Sequence, residues 1–142
     1  MGQYRGNARM KFMVWATRSP HMLKFFAPLL SDAQVATVYY TGKEKLTPGQ
    51  INQIRSSCDG NLFIHQKRPE WDKVLGKHIL TFENSAAQGS HKQLCDRVED
   101  LPPQVRGSWC GLYCGGSTMI RDKLAASAKQ YGIGWQVELF DW

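Results

Sequence analysis

Phe12–Leu30, FMVWATRSPHMLKFFAPLL, decides the fold, because a strand signal is followed directly by a helix signal. Its first five residues, FMVWA, form a compact apolar run rich in strand formers. Ser19 and Pro20 then have the residue types of an N-cap and a first helical residue. The apolar side chains that follow recur at intervals of three and four, as on the buried side of a helix: Leu23, Phe26, Ala27 and Leu30. The stretch predicts a strand that leads into a helix.

The same alternation continues along the chain. The further predicted strands are Val35–Thr41, Asn61–His65, Trp109–Cys114 and Trp135–Phe140. The further predicted helices lie within Lys43–Ser57, where Thr47 and Pro48 are another candidate cap, from Pro69 to Ile79, and from the cap Ser117 to the terminating Gly132. Near-continuous apolar strands are typical of a parallel sheet with helices on both faces. The predicted fold class is α/β, a Rossmann-like doubly wound parallel sheet of about five strands.

The length favours one domain. A chain of 142 residues and 16.1 kDa, with 42% hydrophobic and 21% charged residues, is long enough for a real core. We expect a basic N-terminal tail at 1–10 and a single domain at 11–142. Residues 81–107 are rich in Asn, Ser, Gly and Pro, and predict a long loop with one short helix around Lys92–Val98.

The net charge and the hydropathy of the chain limit the classes of partner that we expect. A net charge of +6 suits a polyanionic partner, which could be nucleic acid, acidic lipid or a phosphate-rich cofactor. No RNP-type motif, zinc finger or basic helix with heptads occurs, which argues against nucleic acid. The apolar stretch Met22–Leu30 is interrupted by Lys24 and Pro28 and is shorter than the ~20 residues that span a bilayer. We expect no direct membrane insertion of this segment, and a soluble cytoplasmic chain if it is expressed alone.

We expect the four cysteines to be reduced thiols, because no secretory signal is visible. They are Cys58, Cys95, Cys110 and Cys114. Their spacing does not match paired C-x2-C zinc signatures, so no metal site is predicted. Cys114 lacks a visible base, although His65 is near the end of another strand and could approach it. A cysteine hydrolase is therefore an open alternative.

Candidate binding residues follow the predicted strands at their carboxyl ends, where open α/β sheets bind ligands. Arg18, Lys43 and Arg68 each come just after a strand and could hold phosphate groups. The turn Cys114-Gly115-Gly116 precedes Ser117, so a ligand could approach its backbone beside a helix N-terminus. The pattern suits a dinucleotide with an extra 2′-phosphate. The alternatives are solvated surface cations and glycines that simply turn the chain.

Five motifs in order resemble the NAD(P)-binding C-terminal lobe of the ferric reductase and NADPH oxidase family, in the ferredoxin-NADP reductase-like superfamily. That family has a strand ending in arginine, a strand ending in Thr-Gly, a GRPxW segment, a Cys-Gly-Pro turn and a C-terminal aromatic residue. Here Lys67 replaces the glycine of GRP, and Gly116 replaces the proline of Cys-Gly-Pro. The matching segments are KFMVWATRSPHMLKFFAPLL (11–30), VYYTGKE (38–44), HQKRPEWDKVL (65–75), GLYCGGSTMIRDKL (111–124) and LFDW (139–142).

The resemblance implies an oxidoreductase in which NADPH passes hydride to FAD on a flavin-binding domain. Electrons then leave through a haem-bearing membrane domain to ferric iron or oxygen, so the lobe would lie at the cytoplasmic face of a membrane. Hydride transfer is cofactor chemistry, and the protein orients the reactants. The positions implied to bind the adenosine and phosphate end are Arg18, Thr41, Gly42, Lys43, Arg68 and Pro69. Cys114, Gly115 and Gly116 would lie beside the nicotinamide, and Trp142 would cover the flavin ring.

The family's lobe begins with another strand and a glycine-rich pyrophosphate turn, and neither is visible here. We therefore expect a truncated C-terminal portion of a larger reductase, inactive alone. The runner-up function is a non-catalytic α/β nucleotide-binding or interaction module derived from that fold. A basic nucleic-acid-binding domain ranks third.

Overall fold

Three strands pair in parallel: Met10–Thr17 (β1), Ala33–Tyr40 (β2) and Asn61–His65 (β3), with β2 in the centre. The computed structural model describes residues 10–59, 61–87 and 94–139. Val38 of β2 pairs with Trp15 on one side and with Ile64 on the other. Residues 36–40 of β2 are all buried, as the near-continuous apolar run predicted, and Val35 is half-buried. This part of the predicted parallel sheet is confirmed.

Two capped helices connect these strands. Helix α1 (Pro20–Phe26) begins after Ser19, whose hydroxyl accepts a 3.1 Å hydrogen bond from the backbone N–H of Met22. A 3-10 helix, Ala27–Asp32, continues it. Helix α2 (Pro48–Ser56) begins with a capping box, in which the side chains of Thr47 and Gln50 each bond to the other's backbone N–H. Both predicted caps are confirmed.

The core of this part lies between the sheet and the two helices. Alternate residues of β2 share one face of the sheet, and that face packs against the apolar sides of α1, the 3-10 helix and α2. The buried cluster comprises Leu23, Ala27, Leu30, Ala36, Val38, Tyr40, Leu46, Ile54, Cys58 and Leu62. Ser31 joins the 3-10 helix to the residues that follow α2, since its hydroxyl donates to Cys58 Sγ and accepts from the backbone N–H of Asp59.

The rest of the chain carries a second parallel pair, Cys110–Gly115 (β4) and Gly134–Leu139 (β5). Its helices are Trp71–Ala87 (α3), Pro103–Gly107 (α4) and Thr118–Tyr131 (α5), with a 3-10 turn at Val98–Asp100. Ser117 caps α5 through a 3.2 Å bond from the N–H of Ile120. Gly132 ends α5 with φ +70°, a left-handed conformation that favours glycine. Both predicted ends of this helix are confirmed.

The chain divides into two compact units, Met1–Pro69 and Glu70–Trp142, where the sequence predicted a single domain over 11–142. Each unit has its own parallel sheet, so the five described strands form a three-stranded and a two-stranded sheet. The mixed α/β class and the parallel pairing are as predicted. The predicted tail at 1–10 lies outside the described residues except for Met10, which begins β1.

The predicted loop over 81–107 is wrong in part. Helix α3 continues to Ala87, because polar side chains in its last turns find distant partners. The Trp109 indole N–H donates to Glu83 Oε1 at 2.9 Å, and the Asn84 amide makes two hydrogen bonds to the backbone of Cys95. Of the short helix expected around Lys92–Val98, residues 92 and 93 lie outside the described part, residues 94–97 are not helical, and Val98 begins the 3-10 turn.

Within the described ranges, no helix is both long and apolar enough to cross a bilayer.

Candidate functional site

The carboxyl ends of β1, β2 and β3 meet at one edge of the first sheet, because the strands are parallel. Thr17 pairs with Tyr40 and Tyr39 pairs with His65, and the N–H of Thr41 extends the ladder with a 2.9 Å bond to the carbonyl of Thr17. We call the residues that follow these ends, 18, 41–46 and 66–68, the carboxyl edge. The carboxyl edge contains five of the predicted site residues: Arg18, Thr41, Gly42, Lys43 and Arg68.

Cations dominate the carboxyl edge. Arg18, Lys43 and Arg68, which the sequence singled out, are all exposed there. Two further exposed cations, Lys45 and Lys67, lie in the same loops and were not assigned a binding role. Glu44 is the one carboxylate among the edge residues 18, 41–46 and 66–68. Such a surface attracts a polyanion, and the guanidinium groups can bind phosphate oxygens in pairs.

Gln66 fixes the two cationic loops to each other. Its side-chain oxygen accepts a 2.8 Å hydrogen bond from the backbone N–H of Leu46, and the Leu46 side chain is buried. The loop that carries Lys43 and Lys45 is thereby joined to the loop that carries Lys67 and Arg68. Sequence reasoning missed this role, because no local pattern links a glutamine to a residue 20 positions earlier.

Because Gly42 has no side chain, it leaves room for the ring of Tyr40, two residues earlier. The Tyr40 hydroxyl donates a 2.8 Å bond to the carbonyl of Glu44, and the ring passes through the space that a Cβ on residue 42 would occupy. Gly42 does not have a positive φ, so the turn itself does not require glycine. The glycine predicted to bind cofactor therefore has a structural explanation inside the loop.

The same arrangement recurs at the end of β4. The Tyr113 hydroxyl donates a 3.1 Å bond to the carbonyl of Ser117, and a Cβ on Gly115 would lie 2.6 Å from that hydroxyl oxygen. Each tyrosine precedes its glycine by two residues and bonds to a carbonyl four residues ahead. The signal in the sequence is the Tyr-x-Gly spacing of 40–42 and 113–115. In the structure, Tyr113 fills the space over Gly115 that we expected a ligand to use.

The residues predicted to lie beside the nicotinamide belong to the second unit, and the residue predicted to cover the flavin lies outside the described residues. Cys114 is exposed on β4, and its side chain is on the opposite face of the strand from Tyr113. His65, considered as its base, belongs to β3 of the first unit, where its ring is 5.4 Å from that of Tyr39. Gly116 follows β4 and is exposed. Trp142 lies outside the described residues.

Pro69 is half-buried between the exposed Arg68 and the start of α3. The carbonyl of the next residue, Glu70, accepts hydrogen bonds from the N–H groups of Lys73 and Val74. Pro69 therefore leads into the first turn of α3. Among the described residues, no group of three or more His, Cys, Asp or Glu side chains could hold a metal ion.

A cavity of about 370 Å³ lies between α1 and α2 in the first unit. Both helices begin just beyond the carboxyl edge, and the residues that line the cavity are Pro20, His21, Lys24, Gln50, Gln53 and Ile54. Amide side chains and one cation make this lining suitable for a polar, anionic group.

Two side chains of the second unit, His78 and Tyr131, have shifted pKa values. Burial lowers the pKa of His78, a hydrogen bond to the Val74 carbonyl opposes that effect, and Lys77 adds to it. Burial raises the pKa of Tyr131, and the carboxylates of Glu99 and Asp72 raise it further. Both side chains belong to the packing of α3 and α5, so they are structural.

No family model, curated protein or solved structure matches this chain.

Proposed function

We propose that this chain is an NADPH-binding lobe of a flavin-dependent oxidoreductase, and that it holds the adenosine and phosphate end of NADPH at the carboxyl edge. The observation that carries the proposal is the group of exposed cations there: Arg18, Lys43, Lys45, Lys67 and Arg68. In parallel α/β sheets this edge is the usual ligand site. NADPH has three phosphate groups, two in the pyrophosphate and one on the adenosine ribose, and the family resemblance implies that this end of the coenzyme lies beside these cations.

Arginine and lysine have different parts in this proposal. Arg18 and Arg68 supply paired N–H donors that match two phosphate oxygens, whereas Lys43 adds a mobile point charge. The Gln66 bond to Leu46 keeps the loops after β2 and β3 in one arrangement before ligand arrives. A preformed cationic edge lowers the entropic cost of binding. Thr41, Gly42 and Pro69 form the backbone around these cations.

The family resemblance implies that the nicotinamide end lies beside the turn that follows β4. Cys114, Gly115 and Gly116 lie beside the nicotinamide, and Trp142 covers the flavin until the nicotinamide displaces it, as the family resemblance implies. FAD belongs to a flavin-binding domain, and a haem-bearing membrane domain passes electrons to ferric iron or oxygen. The chain would then work at the cytoplasmic face of a membrane. The finer fold, a Rossmann-like doubly wound sheet, belongs to the same proposal and is supported by the parallel pairing of all five described strands.

The test compares cation variants by calorimetric titration with 2′,5′-ADP, which carries the two phosphates of the adenosine end. We expect Arg18→Gln and Arg68→Gln each to weaken binding by about tenfold or more, since a hydrogen bond to a charged group is worth ~1.5–3 kcal/mol. Arg55→Gln is the matched control, because Arg55 is exposed in the last turn of α2, away from the carboxyl edge. Equal affinities for all three variants would contradict the proposal.

A second candidate is a non-catalytic nucleotide-binding or interaction module with the same anion site. The packing of Tyr113 over Gly115 favours it, because that ring fills the space expected for the nicotinamide approach. This module would bind 2′,5′-ADP and NADPH with equal affinity, since the nicotinamide half would add no contact. Tighter binding of NADPH than of 2′,5′-ADP would favour the oxidoreductase.

A further inference from the structure

The cavity between α1 and α2 is lined by polar side chains of both helices. His21 and Lys24 are three residues apart on α1, and Gln50 and Gln53 are three residues apart on α2. Residues with this spacing are neighbours on one side of a helix, so each helix presents a polar pair to the cavity. Ile54, which is 2% exposed and belongs to the core, adds an apolar surface to the lining.

The capping box of α2 determines which group Gln50 can offer to a ligand. Its side-chain oxygen accepts a 2.8 Å hydrogen bond from the backbone N–H of Thr47. Because the oxygen is occupied in this way, the group that remains is the NH2 of the amide, which donates hydrogen bonds. The same cap that begins α2 therefore leaves Gln50 as a donor in the lining of the cavity.

Lys24 adds a positive charge to the lining, and no acid lies among the lining residues. The acids in the described part of the first unit are Asp32, Glu44 and Asp59. Asp32 lies immediately before β2 and Asp59 two residues before β3, at the amino ends of those strands, and Glu44 belongs to the carboxyl edge. No salt bridge to Lys24 occurs within residues 10–59, 61–87 and 94–139. The lining therefore has more donors than acceptors and favours an anion.

We propose that this cavity binds the phosphate group of a compact phosphate monoester. A phosphate group has oxygens in three directions, so it can accept hydrogen bonds from Lys24 on α1 and from Gln50 and Gln53 on α2 together. A carboxylate has two oxygens in one plane and matches donors from two helices less well. The carbon part of the ester packs against Pro20 and Ile54. The site goes beyond the proposed function, because it uses no residue of the carboxyl edge and needs no coenzyme.

NMR titration of the isotope-labelled full chain with glycerol 3-phosphate tests the proposal, with glycerate as the carboxylate comparison and glycerol as the neutral one. We expect glycerol 3-phosphate to bind more tightly than glycerate, and about tenfold or more tighter than glycerol, with shifts in the side-chain NH2 signals of Gln50 and Gln53. Lys24→Gln should weaken binding by about tenfold or more, and Gln53→Ala by about fivefold. Arg55→Gln is the matched control, because it removes a charge from the last turn of α2 without altering the lining.

Circular dichroism and urea unfolding verify that each variant is folded, which is expected because the altered side chains are exposed. Binding of 2′,5′-ADP separates this site from the carboxyl edge, since Lys24→Gln should leave the affinity for 2′,5′-ADP unchanged whether or not the proposed function is correct. Absence of ester binding, equal binding of glycerol, or full binding by Lys24→Gln would overturn the proposal. Tighter binding of glycerate would overturn the assignment to phosphate. Ester binding that Arg68→Gln abolishes and Lys24→Gln does not would place the ester at the carboxyl edge and would overturn the separate site.

Discussion

The backbone N–H of Leu46 donates a 2.8 Å hydrogen bond to Gln66 Oε1, and this bond joins the two loops that carry most of the cations of the carboxyl edge. Leu46 is 5% exposed, so removing the glutamine would take away the hydrogen-bond acceptor of a largely buried residue. The same bond therefore contributes to folding and to the preparation of the proposed anion site.

Replacing Gln66 tests both contributions. Gln66→Ala is expected to lower the free energy of unfolding by ~1–3 kcal/mol, the usual cost of an unsatisfied buried donor. It should also weaken binding of 2′,5′-ADP, because the cationic loops lose their fixed arrangement. Urea unfolding and calorimetric titration measure the two effects. Gln104→Ala is the control at an exposed glutamine of α4, and equal losses in both variants would refute this role for Gln66.

The Tyr-x-Gly arrangement predicts that side chains are excluded at Gly42 and Gly115. Alanine at either position would displace a tyrosine ring, with an expected loss of ~1–3 kcal/mol in the free energy of unfolding. At Gly115 the loss should shrink when Tyr113 is also replaced by alanine, since the clash is then absent. Gly107→Ala is the control, because nothing lies within 4 Å of a Cβ there. Strictly additive losses for Gly115→Ala and Tyr113→Ala would contradict the proposed clash.

The lowered pKa of His78 predicts that the free energy of unfolding depends on pH. Burial lowers its pKa in the folded state below the ordinary value of 6.5, so in mildly acidic solution the unfolded chain binds the proton more readily than the folded chain. Stability should fall as the pH decreases below about 6.5 and should level off below the lowered folded pKa. Replacing His78 with glutamine should flatten this part of the curve. Urea unfolding from pH 5 to pH 8 measures it, at roughly the range in which histidine titrates.

The control for that experiment is His21→Gln, because His21 is exposed at the start of α1. This variant should keep the dependence that His78 confers. A wild-type curve whose slope survives His78→Gln unchanged would assign the effect to other groups.

The hydrogen bond between Glu83 and Trp109 stabilises the last turns of α3. The Glu83 carboxylate accepts from the indole N–H of Trp109, whose side chain is 6% exposed and packs edge-on against Phe82. Glu83→Ala removes this hydrogen bond to a largely buried indole and should cost ~0.5–3 kcal/mol, with faster amide exchange in residues 82–87. Glu83→Gln keeps an acceptor oxygen and should restore most of the protection. Fast exchange in both variants would show that the acceptor is not the cause.

Local signals predicted the elements of this fold well. The caps at Ser19, Thr47 and Ser117 and the terminating Gly132 depend on residues within one turn, so the sequence displays them directly. The parallel pairing of the strands was predictable because each is an apolar run joined to the next through helical segments. Because parallel strands end on the same side of a sheet, the position of the carboxyl edge was predictable as well.

Non-local contacts were not predictable in the same way. The last turns of α3 look like loop because Asn84 and Ser85 are weak helix formers, and the distant partners Cys95 and Trp109 stabilise them. Gln66 and Tyr113 likewise act through residues that a periodic pattern does not connect to them. The division into two compact units depends on contacts between residues far apart in sequence, and the hydrophobic pattern does not encode it.

Titration of the full chain with NADPH and with NADH tests the central claim most directly. The two coenzymes differ by one phosphate, so the cationic carboxyl edge predicts that NADPH binds about tenfold to a hundredfold more tightly. This chain should also show no flavin absorbance and no oxidation of NADPH without an added flavoprotein. Equal affinity for the two coenzymes, or binding of neither, would contradict the account.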